Sequence, residues 1–443
     1  MTNTSTVKKS SAFLKQVTLF AVLLFISISS FVSAQNIEPI YDEMAVPFYT
    51  LPDPLVLIDG AAVTTTKCWW EVRRNEIIGM FENEMYGKTP TEKLPFTFRV
   101  ISIDKNALNG AATRKEITLF FKGNGINHSM NILLYVPNNS PKPVPVFFSL
   151  NFDGNHTINP DTGITISHHW VECDSGVGYM KNNDKIVSRG GASERWPVER
   201  IIERGYALAT VYYGDLYPDH KNAASNSILP MFYKKGQTAP DSGEWGAIGA
   251  WAWGYSRAMD YFEKDKDINS SKVVIMGHSR LGKATLWAGA QDKRFAIVIS
   301  NNSGCGGAAL SKRAFGETVG IINNSFPHWF CANFKKYNNN EAALPFDQHM
   351  LLALIAPRPL YVASAEDDLW ADPKGEFLAA LNASPVYKLL GTCGLQANTQ
   401  PAVNDAIMST IGYHIRSGKH DVTGFEWERY MDFTDKHLKV SKR

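Results

Sequence analysis

Three separated stretches carry residue types that could do chemistry together. The first is Val273-Val274-Ile275-Met276-Gly277-His278-Ser279-Arg280-Leu281-Gly282-Lys283, which reads as a buried strand, a tight turn and the start of a helix. A serine on such a turn presents its hydroxyl above the sheet, and the first amides of the following helix can stabilise a developing oxyanion. The spacing is GxSxxG, with the second glycine at Gly282, rather than the commoner GxSxG. A serine alcohol needs a base, and the base needs an orienting partner. The second stretch offers four acids after a strand-like run at residues 358–365: Glu366, Asp367, Asp368 and Asp372. Asp368 has the most ordinary offset from the strand end, with Asp367 second. The third stretch offers His414, on an apolar strand-like run that reads as core, and His420, after Gly418 in a turn that suits a base. The order serine, acid, histidine is that of an α/β-hydrolase. His278, beside the serine, is expected to point away from it and to be structural. His168 and His169 have no carboxylate at a recognisable ligand spacing, so no metal and no cofactor are expected.

Such residues need a sheet to position them. Residues 95–136 contain three strand-like runs with partial alternation. Shorter apolar runs at 144–152 and 206–214, then 272–279, 296–303 and 358–365, suit strands buried on both faces. Helical spacing covers 247–263, a stretch from about 280, and one near 71–86 after the pair Trp69-Trp70. Residues 153–195 are rich in Gly, Asn and Asp and read as a long loop or insertion. The alternation predicts a mainly parallel sheet between two helix layers, a three-layer αβα sandwich. No internal repeat or linker interrupts it, so the 443 residues read as one catalytic domain at 35–443 behind a leader.

That leader is residues 1–34. Lys8, Lys9 and Lys15 precede an apolar run at 17–32, followed by Ser33 and Ala34, the pattern of a secretory signal peptide cut after Ala34. Its removal changes a formal charge of +2 into 42 basic against 43 acidic residues. That balance gives no electrostatic reason for a nucleic-acid partner. No later stretch is apolar enough to span a bilayer, so the mature protein is expected to be exported, periplasmic or secreted, without a membrane anchor and as a monomer. Export permits disulfides, but the five cysteines form no CxxC pair, and their odd number leaves at least one unpaired.

The motifs GHSRLGK around Ser279, NNSGCGGAALSKR at 301–313, FPHWFCANF at 326–334, ASAEDDLWADPKGEF at 363–377 and GKHDVT at 418–423 resemble those of bacterial glucuronoyl esterases of carbohydrate esterase family 15. The resemblance runs from about Val144 to the C-terminus, with the motifs in family order. It implies an α/β-hydrolase and cleavage of the ester between a (4-O-methyl-)glucuronic acid branch of xylan and a lignin alcohol. Glucuronoxylan and lignin–carbohydrate esters would be the partners. It assigns Ser279 as nucleophile, His420 as base, Arg280 as oxyanion support, and Lys283, Glu317 and Trp370 as uronate-binding residues. Many members carry the orienting acid where this chain has Asn302, which cannot supply a negative charge. The role then falls to Asp368. The same resemblance suggests a Cys305–Cys331 disulfide. Two other functions compete: an acetyl-xylan or other carbohydrate deacetylase on the same fold, and a catalytically silent carbohydrate-binding protein.

Overall fold

The structure is a computed structural model that describes residues 38–92, 94–167, 170–172, 179–181 and 189–439. The leader, His168, His169 and Cys173 lie outside the described residues. Residues Pro39–Arg443 cluster as one unit around a ten-stranded sheet.

The sheet begins with a meander, β1 (Phe96–Ala107), β2 (Ala112–Gly123) and β3 (Ile126–Pro137), antiparallel throughout. Only Asn124 and Gly125 separate β2 from β3, both at positive φ (48° and 74°). That is the backbone of the two-residue turn whose twist matches a hairpin, and Asn-Gly adopts it readily. The remaining strands are β4 (Val144–Asn151), β5 (Ala207–Tyr212), β6 (Ile268–His278), β7 (Ile297–Asn301), β8 (Leu360–Ala365), β9 (Ala406–Met408) and β10 (Ile411–Arg416). Their spatial order is β1-β2-β3-β5-β4-β6-β7-β8-β10-β9. The pairings β5–β4, β4–β6, β6–β7, β7–β8 and β8–β10 are all parallel. Every residue of β5, β7, β8 and β10 is buried, which accounts for their continuous apolar runs.

Helices cover both faces, as the sequence predicts. On one side α2 (Ala247–Phe262), α3 (Arg280–Gln291) and α4 (Pro373–Leu389) bury Trp251, Trp287 and Val386 against Val273, Ile275 and Val362. On the other, α1 (Val198–Glu203) and α5 (Gly424–Leu438) bury Ile201, Trp427 and Phe433 against Val274, Met276 and Ile299. This is the three-layer α/β-hydrolase architecture. A helical segment from Thr66 to Tyr86 places Trp69, Phe81 and Tyr86 in the first of these cores. His414 on β10 is fully buried and hydrogen-bonded to the Tyr361 hydroxyl at 2.8 Å, a core histidine.

The suggested Cys305–Cys331 disulfide is absent: both residues are buried free thiols. Their surroundings differ. Burial pushes the Cys305 thiol well up, with Glu317 and Lys283 the leading charges near it. Burial also raises the Cys331 thiol, but its neighbours are the Phe334 and Asn333 amides and Glu84.

Candidate active site

The turn after β6 is strained as a presented nucleophile requires. Ser279 has φ 57° and ψ −129°, a conformation costing a non-glycine residue about 1–3 kcal/mol, and α3 starts at the next residue. Its amide donates to the Asn301 carbonyl at 2.9 Å, tying the turn to the end of β7. A Cβ on Gly277 would lie 2.2 Å from the Leu281 carbonyl oxygen and 2.3 Å from Thr285 Oγ1. A Cβ on Gly282 would lie 2.9 Å from Ser303 Cβ. The shifted glycine spacing therefore reflects which residue meets the loop after β7.

Parallel pairing of β8 with β10 continues past both strand ends. The Glu366 amide donates to Arg416 O at 2.8 Å and the Asp367 amide to Gly418 O at 3.0 Å. This brings the acid loop against the histidine loop. His420 Nδ1 donates to Asp368 Oδ2 at 2.5 Å, and Asn302 Nδ2 donates to the same oxygen at 2.8 Å. Burial opposes ionisation of Asp368, but His420 and Asn302 together hold its carboxyl below its ordinary range. Asp368 is the acid of the four that meets His420. The buried Arg416 guanidinium organises the loop that carries His420. It donates to the carbonyls of Ser417, Lys419 and Asp421 at 2.8–3.0 Å and pairs with buried Glu426.

His278 does not point away, contrary to expectation. Its ring lies 4.4 Å from that of His420, and its Nδ1 donates to Asn301 Oδ1 at 2.7 Å. Burial, with the neighbouring His420, pushes its pKa well below the ordinary range, so it stays neutral. It is a packed wall for the base, not a competing base.

Ser279, Arg280, Lys283, Glu317, Asp368, Trp370 and His420 all line one cleft of about 350 Å³. Every site residue expected from sequence is thus in one place, joined by Asn302, Phe326 and Trp329. Lys283 is buried, and its ammonium donates to the carbonyls of Ser303 and Cys305, both at 2.6 Å, with Glu317 Oε2 at 3.5 Å. Burial pushes the Glu317 carboxyl up, against the pull of Lys283 and the Trp370 indole. Trp370 is 42% exposed at the mouth. Its carbonyl accepts from the Glu317 amide at 3.0 Å. Beneath this wall, Ile40 bridges to Phe315, and Glu43 pairs with Arg313 at 2.6 Å and Lys374 at 2.7 Å.

Sequence reasoning missed the residues around Arg280. Its guanidinium pairs with buried Asp219 and lies 4.9 Å from the ring centroid of Trp329 and 5.4 Å from that of Phe326. The FPHWFCANF motif holds the signal, since it supplies Phe326, His328 and Trp329 around Asp219 and Arg280. No group of three or more His, Cys, Asp or Glu able to hold a metal occurs among the described residues. A serine with a histidine–aspartate pair and a guanidinium in one cleft can carry out acyl transfer.

Known proteins agree with this chemistry. The family model for glucuronyl esterase of fungi matches residues 205–391. Carbohydrate esterase MZ0003, from an unknown prokaryotic organism, is 53% identical over 398 residues, covering 90% of this chain and 92% of its own. The solved glucuronoyl esterase from Solibacter usitatus superposes with a TM-score of 0.85 at 49% identity, covering 89% of this chain and 99% of its own. A 4-O-methyl-glucuronoyl methylesterase from Schizophyllum commune is 27% identical, covering 84% of this chain and 81% of its own. The deacetylase and silent carbohydrate-binding readings are not favoured by these relatives.

Proposed function

Since the chain belongs to carbohydrate esterase family 15, the glucuronoyl esterases, we propose that it cleaves the ester between a (4-O-methyl-)glucuronic acid branch on xylan and a lignin alcohol. His420 takes the Ser279 proton as the serine oxygen attacks the C6 carbonyl of the uronate. Asp368 steadies the imidazolium, and its low pKa keeps it charged to do so. Arg280 and the first amides of α3 hold the oxyanion. The alcohol leaves with the proton from His420, giving a glucuronoyl-enzyme. Water then attacks this ester by the same route, releasing the free uronic acid. Lys283, Glu317 and Trp370 bind the sugar, with the indole face of Trp370 suited to a pyranose ring.

The observation that carries this reading is the His420–Asp368 hydrogen bond of 2.5 Å behind a cleft that also holds Ser279, Arg280, Lys283, Glu317 and Trp370. The test compares benzyl glucuronate, methyl galacturonate and an acetylated sugar as substrates. Preference for the glucuronate, with a burst of benzyl alcohol that Ser279→Ala abolishes, is the expected outcome. Preference for the acetyl ester would transfer the chain to the deacetylases.

The mature protein, in this proposal, is a monomer working outside the cytoplasm after a cut behind Ala34. No helix among the described residues is long and apolar enough to cross a membrane. N-terminal sequencing of exported protein and sedimentation equilibrium check these two points.

A further inference from the structure

Arg280 has a long side chain, and a long side chain is a poor oxyanion donor unless something fixes it. Ordering an arginine costs rotamer freedom, which a preorganised site must meet before the reaction. The structure contains a device that does this. Asp219 lies 61 residues before Arg280 in the chain, and its side chain is 1% exposed. Its Oδ2 accepts from Arg280 Nη1, and the Tyr213 hydroxyl lies 3.5 Å from the same oxygen. Its Oδ1 accepts from Trp329 Nε1 at 2.6 Å and from His328 Nε2 at 2.8 Å.

These contacts close a triangle. Asp219 grips one edge of the guanidinium and the edge of the Trp329 indole, while the face of that indole lies 4.9 Å from the guanidinium. Phe326 stacks on Trp329 with centroids 3.7 Å apart and planes at 3°, so the indole cannot tilt away. His328 lies against Tyr217, 5.8 Å between ring centroids, and holds the carboxylate from the far side. Burial disfavours the Asp219 carboxylate, but its hydrogen bond from His328 and the charge of Arg280 hold its pKa below the ordinary range. A guanidinium has five N–H donors in a fixed planar fork, so an anchor on one donor sets the direction of the rest.

We propose that Asp219 is a positioning residue for the esterase reaction: with Trp329 it holds the Arg280 guanidinium in the attitude that receives the oxyanion. This deepens the functional reading above and rests on the role given there to Arg280.

The test is a double-mutant cycle on benzyl glucuronate, with kcat and KM measured separately and folding checked by thermal unfolding. Asp219→Asn keeps the shape and removes the charge. It is expected to lower kcat ten- to a hundredfold with KM within about twofold, because the oxyanion exists only in the transition state. In an Arg280→Ala background the same change is expected to cost less than twofold. An equal loss in both backgrounds, or no loss in the parent enzyme, overturns the positioning role. A parent-like kcat in Arg280→Ala alone refutes the oxyanion role of Arg280 itself, which is a separate failure. If Asp219→Asn does not fold, Trp329→Phe replaces it, removing the N–H donated to Asp219 while keeping a ring beneath Arg280. A smaller kcat loss, present only with Arg280 in place, is then expected, and an Arg280-independent loss overturns the proposal.

Discussion

Asn302 and His420 donate to the same oxygen of Asp368, at 2.8 and 2.5 Å. An amide therefore stands beside the carboxylate. The two residues should be unequal under mutation. Asp368→Ala removes the carboxylate paired with His420 and is expected to lower kcat by about 10²–10⁴-fold. Asn302→Ala removes one hydrogen bond but leaves the carboxylate and its bond to His420, and should cost far less than Asp368→Ala. Equal small losses in both variants, measured as kcat on benzyl glucuronate, would remove Asp368 from the triad.

Two of the three proposed uronate-binding residues should also behave differently. Lys283 is buried with two backbone carbonyls and Glu317 as acceptors, so Lys283→Met removes the ion-pair partner of buried Glu317. Breaking such a buried pair costs about 3–5 kcal/mol, and a marked fall in Tm is expected along with activity. Trp370 is 42% exposed, so Trp370→Ala should raise KM with Tm nearly unchanged. Calorimetry and steady-state kinetics on the two variants separate the cases. A Trp370 variant with unaltered KM would place the sugar elsewhere.

A pH effect on stability is expected from Glu376, which sits fully buried under the loop after β7. Burial pushes its pKa from 4.5 up to about 8, although Ser364 and the Gly304 amide donate to it. The folded protein thus keeps a proton that the unfolded chain has lost between pH 4.5 and about 8. Stability falls as pH rises through that window, since the native state then binds more protons than the unfolded state. Glu376→Gln cannot ionise and should be relatively more stable at pH 8 than at pH 5, compared with the parent. A parent-minus-variant difference in unfolding midpoint that stays constant with pH would contradict this.

Thiol titration of the unfolded, unreduced protein should count both Cys305 and Cys331 as reactive. Their surroundings differ, with Glu317 and Lys283 near one and Glu84 near the other. Failure of both to titrate would restore the disulfide.

The sequence made the parallel sheet legible because strands buried on two faces leave continuous apolar runs, as in β5 and β8. It made Ser279, Asp368 and His420 legible because each follows a strand end, where the fold gathers loops. Contacts decided by loop conformation were hidden. Asp219 meets Arg280 across 61 residues, and nothing in Tyr217-Pro218-Asp219-His220 announces an ion pair. Arg416 looks like a charge ending a strand, yet it is buried and ties down three carbonyls of the His420 loop. On the usual elbow the position of His278 turns away from the base. Here the Asn301 side chain turns the ring toward His420.

The bridge from Ile40 to Phe315, with Gly316 N donating to Ile40 O at 2.8 Å, joins the chain's early residues to the segment carrying Glu317. For anyone building an expression vector, this ties the N-terminal arm to the segment that leads into Glu317. A start site chosen a few residues too late, past Glu43, would take one carboxylate from Arg313, leaving it Asp372, and would remove the partner of Lys374. Such a truncated protein would lose the strap that pins the segment before Glu317.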